Sequence, residues 1–196
     1  MKLAAVLAAG ASSRFGADKL AADFGGAPVL ERTIRAVAAS GADDIVCVLP
    51  PGATDRMRIA ERCGVRTLLN PDAADGLSSS VARAAEEAQR VGAAALLVAL
   101  GDAPRVPSAH YAALFDRAEA EAGLSFTLAR DRRGPPAVFA ARRFEDLTRL
   151  KGDQGARDMT ARAPAGAGVA LADALARDID TPDDLRAALA DLAKGG

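Results

Sequence analysis

The residues best suited to chemistry follow the first apolar run of the chain. Positions 7–19 read Leu-Ala-Ala-Gly-Ala-Ser-Ser-Arg-Phe-Gly-Ala-Asp-Lys. Glycines let backbone N–H groups approach an anion closely. Arg14 can donate to two phosphate oxygens in a fork, and Lys19 adds a movable positive charge. This stretch therefore predicts a loop that binds a polyphosphate.

Spacing excludes two better-known phosphate loops. A P-loop requires Gly-x-x-x-x-Gly-Lys followed by Ser or Thr, whereas Gly16 is followed by Ala-Asp-Lys. The dinucleotide fingerprint Gly-x-Gly-x-x-Gly is also missing, because residue 12 is Ser. The alternative that this stretch leaves open by itself is an ordinary βα turn with solvated charges.

Carboxylates stand at two other places that suggest a site. Asp102 follows the apolar run 94–100, and a carboxylate at the carboxyl end of a strand can bind Mg²⁺ beside a triphosphate. A simple turn before Pro104 is the alternative. Near the C-terminus, positions 178–185 read Asp-Ile-Asp-Thr-Pro-Asp-Asp-Leu. Here Asp180 or Thr181 is predicted to cap the last helix, with Pro182 in its first turn.

The elements that must position these residues alternate between apolar runs and amphipathic stretches. Strands are predicted over 2–8, 44–49, 65–69 and 94–100, and helices over 28–39, 55–63 and 78–90, the last capped by Ser78 or Ser79. This alternation predicts an α/β fold of three αβα layers around a mostly parallel, Rossmann-like sheet. Ligands bind beyond the carboxyl ends of such strands, so the loops after residues 8 and 100 should meet.

The second half is less regular. Strands are predicted over 124–129 and 137–141 around a turn-rich segment at 130–136, and helices over 144–150, 154–163 and 183–194. Because no linker or repeat interrupts the chain, we expect one domain over 1–196.

Composition narrows the class of protein. The formal charge is −1, from 25 basic and 26 acidic residues, which does not favour nucleic acid or an anionic membrane as partner. No apolar run approaches the length of a membrane span, and we expect a cytoplasmic protein. Cys47 and Cys63 do not form a zinc motif, and Cys47 is predicted to be buried. His110 is predicted to lie on a helix surface rather than to act as a base.

The stretch 7–19 resembles the signature Leu-Ala-Ala/Gly-Gly-x-Ser-x-Arg-x-Gly-x-x-Lys at all 13 positions. This signature belongs to the MobA-like NTP transferases, which include the molybdenum cofactor cytidylyl- and guanylyltransferases. The resemblance implies a fold of the nucleotide-diphospho-sugar transferase type. It also implies a Mg²⁺-dependent nucleotidyltransferase in which Arg14, Lys19 and Asp102 are catalytic. The contacts that it implies to the nucleotide in this stretch are Leu7, Ala9, Gly10, Ser12, Arg14 and Lys19.

Other segments extend the resemblance towards the C-terminus. Gly-Asp-x-Pro at 101–104 and Asp-Thr-Pro at 180–182 imply Asp102 and Asp180 as ligands of Mg²⁺, with Asp178 as the alternative to Asp180. The third residue of the first segment, Ala103, departs from the usual Gln or Met. An Asn-Pro…Gly…Ser stretch implies further nucleotide contacts from three residues, which are Asn70, Gly76 and Ser80.

Two features bear on the substrates. Gly-Asp-x-Gly-Ala-Arg at 152–157 implies that Arg157 binds the acceptor's phosphate, although capping of a helix by Asp153 explains the segment equally well. Within the family, Leu-Ala-Ala-Gly accompanies cytidylyl transfer and Leu-Ala-Gly-Gly guanylyl transfer, so Ala9 favours CTP, with molybdopterin as acceptor.

Three alternatives remain. They are a guanylyltransferase, a transferase acting on a sugar phosphate, and a non-catalytic nucleotide-binding protein that delivers cofactor to a molybdoenzyme as its maturation partner. The retained Arg14, Lys19, Asp102 and Asp180 disfavour the last one, because a binding module needs no pair of metal ligands.

Overall fold

The computed structural model describes residues 1–10, 15–121, 123–152 and 156–194. Seven strands form one mixed sheet. The strands are β1 (Lys2–Leu7), β2 (Asp44–Leu49), β3 (Arg66–Leu69), β4 (Ala95–Leu100), β5 (Leu124–Ala129), β6 (Arg132–Ala140) and β7 (Gly168–Ala170). The helices are α1 (Val29–Ala38), α2 (Thr54–Arg62), α3 (Leu77–Arg90), α4 (Ser108–Ala120), α5 (Phe144–Thr148), α6 (Arg157–Ala161) and α7 (Pro182–Lys194).

The sheet order is β3-β2-β1-β4-β6-β5-β7, and β1 pairs in parallel with both β2 and β4. β6 runs antiparallel to its neighbours β4 and β5. The chain moves outward from β1 to β3 and then returns to place β4 on the other side of β1. This reversal of direction opens a crevice between the carboxyl ends of β1 and β4, where open α/β sheets bind ligands.

The central strands are buried on both faces, which explains their continuous apolar sequences. Along β1, Ala4 and Val6 face one core, whereas Leu3, Ala5 and Leu7 face the other. The first core also takes the apolar faces of α1, α2, α4 and α7. The second takes those of α3 and α5. The prediction of three layers around a mostly parallel sheet is therefore confirmed.

The second half differs from the sequence prediction in its strands. The segment 130–136 was expected to be a turn, but β6 already begins at Arg132. Only Arg130 and Asp131 turn the chain, with φ of 50° and 56°. These two polar residues form the tight turn of the hairpin between β5 and β6, in which both central residues have a positive φ. The short strand β7 was missed, because three residues of mixed character carry no periodic pattern.

Two smaller sequence predictions are wrong. His110 is buried rather than on the surface, because α4 packs its His110 face on the sheet and the ring Nε2 lies 2.9 Å from Thr127 Oγ1. Neither Ser78 nor Ser79 caps α3. The cap position is Gly76, at φ 100°, and Ser79 Oγ donates back to its carbonyl oxygen at 2.8 Å.

Other predictions are confirmed. Cys47 is fully buried in β2, and this burial raises the pKa of its thiol to about 12. Within the described ranges, no helix is both long and apolar enough to cross a membrane. The sheet joins strands from both halves of the chain, and the single domain over 1–196 stays a prediction.

Candidate active site

A cavity of about 400 Å³ opens at the carboxyl ends of β1 and β4. It is lined mainly by small and apolar residues, with a charged cluster among them. Eight residues predicted from the sequence line it, namely Leu7, Ala9, Gly10, Lys19, Gly76, Ser80, Asp102 and Asp180. The remaining lining residues are Ala8, Leu20, Ala73, Leu77 and Leu100.

Gly101 fixes the position of Asp102 relative to β1. Its N–H donates to Leu7 O at 2.8 Å, and its carbonyl oxygen accepts from Thr33 Oγ1 at 3.1 Å. A Cβ at residue 101 would lie 3.1 Å from Leu7 O and 3.2 Å from Ala8 Cβ, closer than side chains normally pack. The absence of a side chain thus lets the loop after β4 lie directly against the loop after β1.

The C-terminal segment reaches the same place through Ile179. Its side chain is 1% exposed in the first core, and its N–H donates to Asp102 O at 3.0 Å. Asp180 follows directly. Thr181, one of the two predicted caps, then caps α7, because its Oγ1 accepts from the N–H of Asp184 at 3.2 Å while Asp184 Oδ2 accepts from the N–H of Thr181 at 2.8 Å.

Lys19 lies between the two carboxylates that the sequence assigns to a metal. Its Nζ donates to Asp102 Oδ2 at 2.6 Å and to Asp180 Oδ1 at 2.8 Å. Burial opposes the charged ammonium, but the charges and hydrogen bonds of Asp102 and Asp180 outweigh it and raise the pKa of Lys19. The sequence predicts Lys19 as a catalytic residue and a phosphate ligand, but it does not predict these two ion pairs. We call Lys19, Asp102 and Asp180 the carboxylate bridge.

The carboxylate bridge retains capacity for a cation. Within the part of the chain that the structure describes, the buried Asp102 Oδ1 has no hydrogen-bond partner, which leaves lone pairs of this carboxylate available. Among the described residues, no group of three or more His, Cys, Asp and Glu could hold a metal ion. Two carboxylates nevertheless fit a hard cation such as Mg²⁺, which takes its other ligands from substrate phosphates and water.

Asp178, the alternative ligand, lies in the same electrostatic environment. Desolvation of its carboxyl group and the negative charges of Asp102 and Asp180 raise the pKa of Asp178 to about 7. Asp178 is an exposed residue, and contact with water limits the effect of burial. We therefore attribute the higher pKa mainly to the negative charges of the two neighbouring carboxylates. Asp178 is absent from the cavity lining, unlike Asp180.

Asn70 supports the cavity wall from behind rather than lining it. The residue is buried, and its Nδ2 donates to Ser79 Oγ at 2.9 Å and to Ser80 Oγ at 3.0 Å. Its Oδ1 accepts from the N–H of Asp72 at 3.1 Å. Asn70 therefore holds the turn that presents Gly76 and Ser80 to the cavity.

Besides Asn70, three predicted residues are not among those that line the cavity. Ser12 and Arg14 lie outside the described residues. Arg157 is exposed at the start of α6 and does not line the cavity. Asp153, the alternative helix cap, is also outside the described residues.

Arg56 is the charged residue near the cavity that sequence reasoning missed. It lies in α2, is 6% exposed, and binds the stretch that carries Gly10 and Lys19. A signal for it was available, because Arg56 shares the apolar face of α2 with Ile59 and Ala60, three and four positions later. An arginine on the buried face of a helix requires partners.

Comparison with known proteins places the chain in one family. A model of the MobA-like NTP transferase domain matches residues 4–175. The purine catabolism protein PucB of Bacillus subtilis (strain 168) is 29% identical in a 192-residue alignment, with 91% of this chain and 91% of that one covered.

Solved structures agree with this match. Rv0371c from Mycobacterium tuberculosis H37Rv is 26% identical with a TM-score of 0.78, over 96% of this chain and 97% of that one. The same protein has a crystal structure in complex with manganese, which is also 26% identical, with a TM-score of 0.75 over 96% and 98%. A nucleotidyl transferase from Methanothermobacter thermautotroptrophicus has a TM-score of 0.82 at 22% identity, over 100% and 99%, and shows the shared fold.

Proposed function

Since this chain belongs to the MobA-like NTP transferase family, we propose that it transfers CMP from CTP to a phosphorylated acceptor, with molybdopterin as the favoured acceptor. Pyrophosphate is the second product. The observation that carries this proposal is the carboxylate bridge at the mouth of the crevice between β1 and β4. It combines a cation suited to phosphate with two carboxylates suited to a metal.

The nucleotide's phosphates are proposed to lie against the stretch 7–19. Leu7, Ala9 and Gly10 line the cavity there, and a backbone with a small side chain permits close approach. Arg14 and Ser12 are proposed to complete this grip. On the opposite wall, Gly76 and Ser80 are proposed to contact the nucleoside, in a position maintained by Asn70.

Asp102 and Asp180 are proposed to hold the divalent cation, which we take to be Mg²⁺. When bound, the cation neutralises phosphate charge and orients the α-phosphate towards the acceptor. Lys19 pairs with both carboxylates, at 2.6 and 2.8 Å, and offsets one of their two negative charges. We propose that its ammonium turns to the phosphates of the nucleotide, which leaves the carboxylates available to the cation.

The reaction requires no general base from the protein. A phosphate monoester carries about −1.5 to −2 charges at neutral pH, so an acceptor oxygen can attack the α-phosphorus directly. A new P–O bond forms as the bond to the β-phosphate breaks, and the charge accumulates on the departing pyrophosphate. Lys19 and Arg14 are proposed to stabilise that charge. His110 is buried against Thr127 and does not line the cavity, which fits this absence of a base.

Two substrate assignments come from sequence resemblance. The choice of CTP depends on Ala9, which lines the cavity at the end of β1. The choice of molybdopterin depends on the family. We keep Arg157 as a proposed ligand of the acceptor, although in this structure it is exposed and does not line the cavity.

The test is a pyrophosphate-release assay with Mg²⁺, purified molybdopterin and each of the four nucleoside triphosphates. We expect release with CTP and little with the others. Release with GTP alone would overturn the choice of base. Release without molybdopterin but with a sugar phosphate would overturn the acceptor. No release with any nucleotide, together with retained nucleotide binding, would favour a maturation protein that binds without catalysis.

A further inference from the structure

The buried guanidinium of Arg56 joins the two ends of the stretch 8–19. Its Nη1 donates to Ala8 O at 2.6 Å and to Gly10 O at 2.8 Å. Its Nε donates to Asp18 Oδ2 at 2.8 Å. We call Arg56 with Ala8, Gly10 and Asp18 the loop clasp.

This arrangement uses properties that lysine lacks. The guanidinium is planar and presents several N–H groups at fixed angles, so one side chain can satisfy acceptors that lie in different directions. Arg56 has a side-chain exposure of only 7%, and Asp18 has 32%. A buried cation held by a carboxylate and two carbonyl groups has little freedom to move.

The loop clasp orients groups at both ends of the stretch. Because a trans peptide directs its C=O and the following N–H to opposite sides, turning Ala8 O towards Arg56 turns the N–H of Ala9 away from it. At the other end, Asp18 Oδ1 accepts from the N–H of Leu20 at 3.1 Å, so the same carboxylate spans the backbone around Lys19. Arg56 itself is absent from the cavity lining.

We propose that Arg56 is a positioning residue that preorganises both ends of this stretch, at residues 8–10 and 18–19, for the triphosphate. It holds both ends so that the backbone at Ala9 and the side chain of Lys19 already converge on the cavity before the nucleotide binds. Preorganisation of this kind reduces the conformational entropy that the protein loses when the nucleotide binds. The inference rests on the proposed function, since it assigns Arg56 to the same nucleotide site.

The first experiment compares Arg56→Lys with Arg58→Lys, a matched control in the same helix. Arg58 is exposed and pairs with Asp55, so its replacement should change nothing at the site. For Arg56→Lys we expect nucleotide affinity to fall about tenfold to a hundredfold, as for other residues that orient ligands indirectly. Calorimetric titration with CTP gives Kd, and pyrophosphate release gives KM and kcat.

A purely structural role predicts a different outcome. In that case Arg56→Lys would lower the melting temperature and leave Kd and KM within twofold of wild type at temperatures well below melting. That result overturns the inference. Wild-type protein that binds no nucleotide at all would instead overturn the proposed function, and the two failures are therefore distinguishable.

Two further measurements keep the inference falsifiable. In a double-mutant cycle, Arg56→Lys and Asp18→Asn should weaken nucleotide binding by much less than the product of their single effects, because they break one shared pair. Arg56→Ala should recover CTP binding when guanidinium is added at concentrations far below those that unfold proteins, but not with neutral urea. Independent effects and no rescue would contradict the loop clasp. If Arg56→Ala does not fold, the cycle alone decides.

Discussion

Two positively charged side chains, Arg56 and Lys19, lie at or near the same cavity, and their partners hold them in different ways. In the loop clasp, a planar guanidinium from a helix binds backbone carbonyls and one carboxylate, with a side-chain exposure of 7%. In the carboxylate bridge, a flexible ammonium binds two carboxylates, one of them 45% exposed. The first arrangement suits permanent support. The second suits exchange, because each of its groups has another proposed partner once substrate and metal arrive.

This difference shows how one short stretch of chain can contain both a fixed anchor and a cation that exchanges partners. Asp18 and Lys19 are adjacent in sequence, yet Asp18 turns to Arg56 whereas Lys19 turns to Asp102 and Asp180. Anchoring the backbone at Asp18 allows the side chain of Lys19 to move without displacing the rest of the loop. Changes to the two clusters should therefore affect different steps.

The largest effect is expected from Asp102→Asn, which removes a charge from the carboxylate bridge without changing side-chain size. Turnover should fall on the order of 10²-fold to 10³-fold, because the proposed metal site loses one of its two carboxylates and Lys19 keeps only Asp180 as a charged partner. The melting temperature should change by only a few degrees. Pyrophosphate release and circular dichroism measure these quantities.

The control for this change is Asp116→Asn, which removes the same charge from an exposed position on α4. It should retain wild-type turnover. If Asp102→Asn also turns over normally, the carboxylate bridge is not the centre of the reaction.

A smaller effect with an unusual sign is expected from Lys19→Gln. Without nucleotide, Mn²⁺ should bind this variant about threefold to tenfold more tightly than wild type, because the ammonium no longer competes for Asp102 and Asp180. Turnover with CTP should nevertheless decrease, since the phosphates lose their cation. Titration of free Mn²⁺ by electron paramagnetic resonance separates the two effects.

Lys151→Gln is the matched control, because it removes an equal charge from an exposed position. It should leave Mn²⁺ affinity unchanged. Equal or weaker Mn²⁺ binding by Lys19→Gln would show that Lys19 is as fixed as Arg56, and the contrast between the two clusters would disappear.

The smallest effect is expected from an ion-pair cluster at the C-terminal end of α3, which serves as a reference for stability without function. Glu87 accepts from Arg90 at 2.7 Å and from Arg66 at 3.0 Å. The hydrogen bond from Arg90, followed by that from Arg66, lowers the pKa of Glu87 from its ordinary 4.5 to about 2. Glu87→Gln should cost about 1–2 kcal/mol of unfolding free energy at neutral pH, after allowance for the exposed arginines.

The pH dependence of that difference is specific. Because the carboxyl has a lower pKa when folded than when unfolded, its stabilisation is complete above about pH 4.5 and is lost as the pH falls towards about 2. Urea unfolding of wild type and Glu87→Gln across this window should converge at low pH. A constant difference would contradict the assignment, and turnover at neutral pH should be unaffected.

The first half of the fold could be predicted from the sequence with little error. Strands buried on both faces have continuous apolar sequences, and the observed β2 (Asp44–Leu49) coincides with its predicted bounds. The second half was harder. β6 begins with Arg132, Arg133 and Gly134, which are residue types common in turns. These residues form a strand because they pair with β5, and a local sequence pattern does not show that pairing.

The partners of buried polar groups were also beyond the sequence. The sequence predicts His110 on a helix surface, yet its partner is Thr127 Oγ1, which itself donates to Pro136 O at 2.8 Å. Arg56 was passed over as one of several arginines in a charged helix. A polar side chain is buried only when the tertiary structure supplies its hydrogen bonds, and a local pattern cannot show this.

The sequence by itself determined the chemistry available at the site, which consists of a glycine-containing loop with two cations and two distant carboxylates. Only the tertiary structure decided how these groups pair. Asp102 and Asp180 lie 83 and 161 positions from Lys19, and they meet it because Gly101 packs on Leu7 and Ile179 binds Asp102 O. The types of residue at the site can be read directly from the sequence. Pairing depends on which strand ends lie side by side in the sheet, and that depends on the packing of the whole chain.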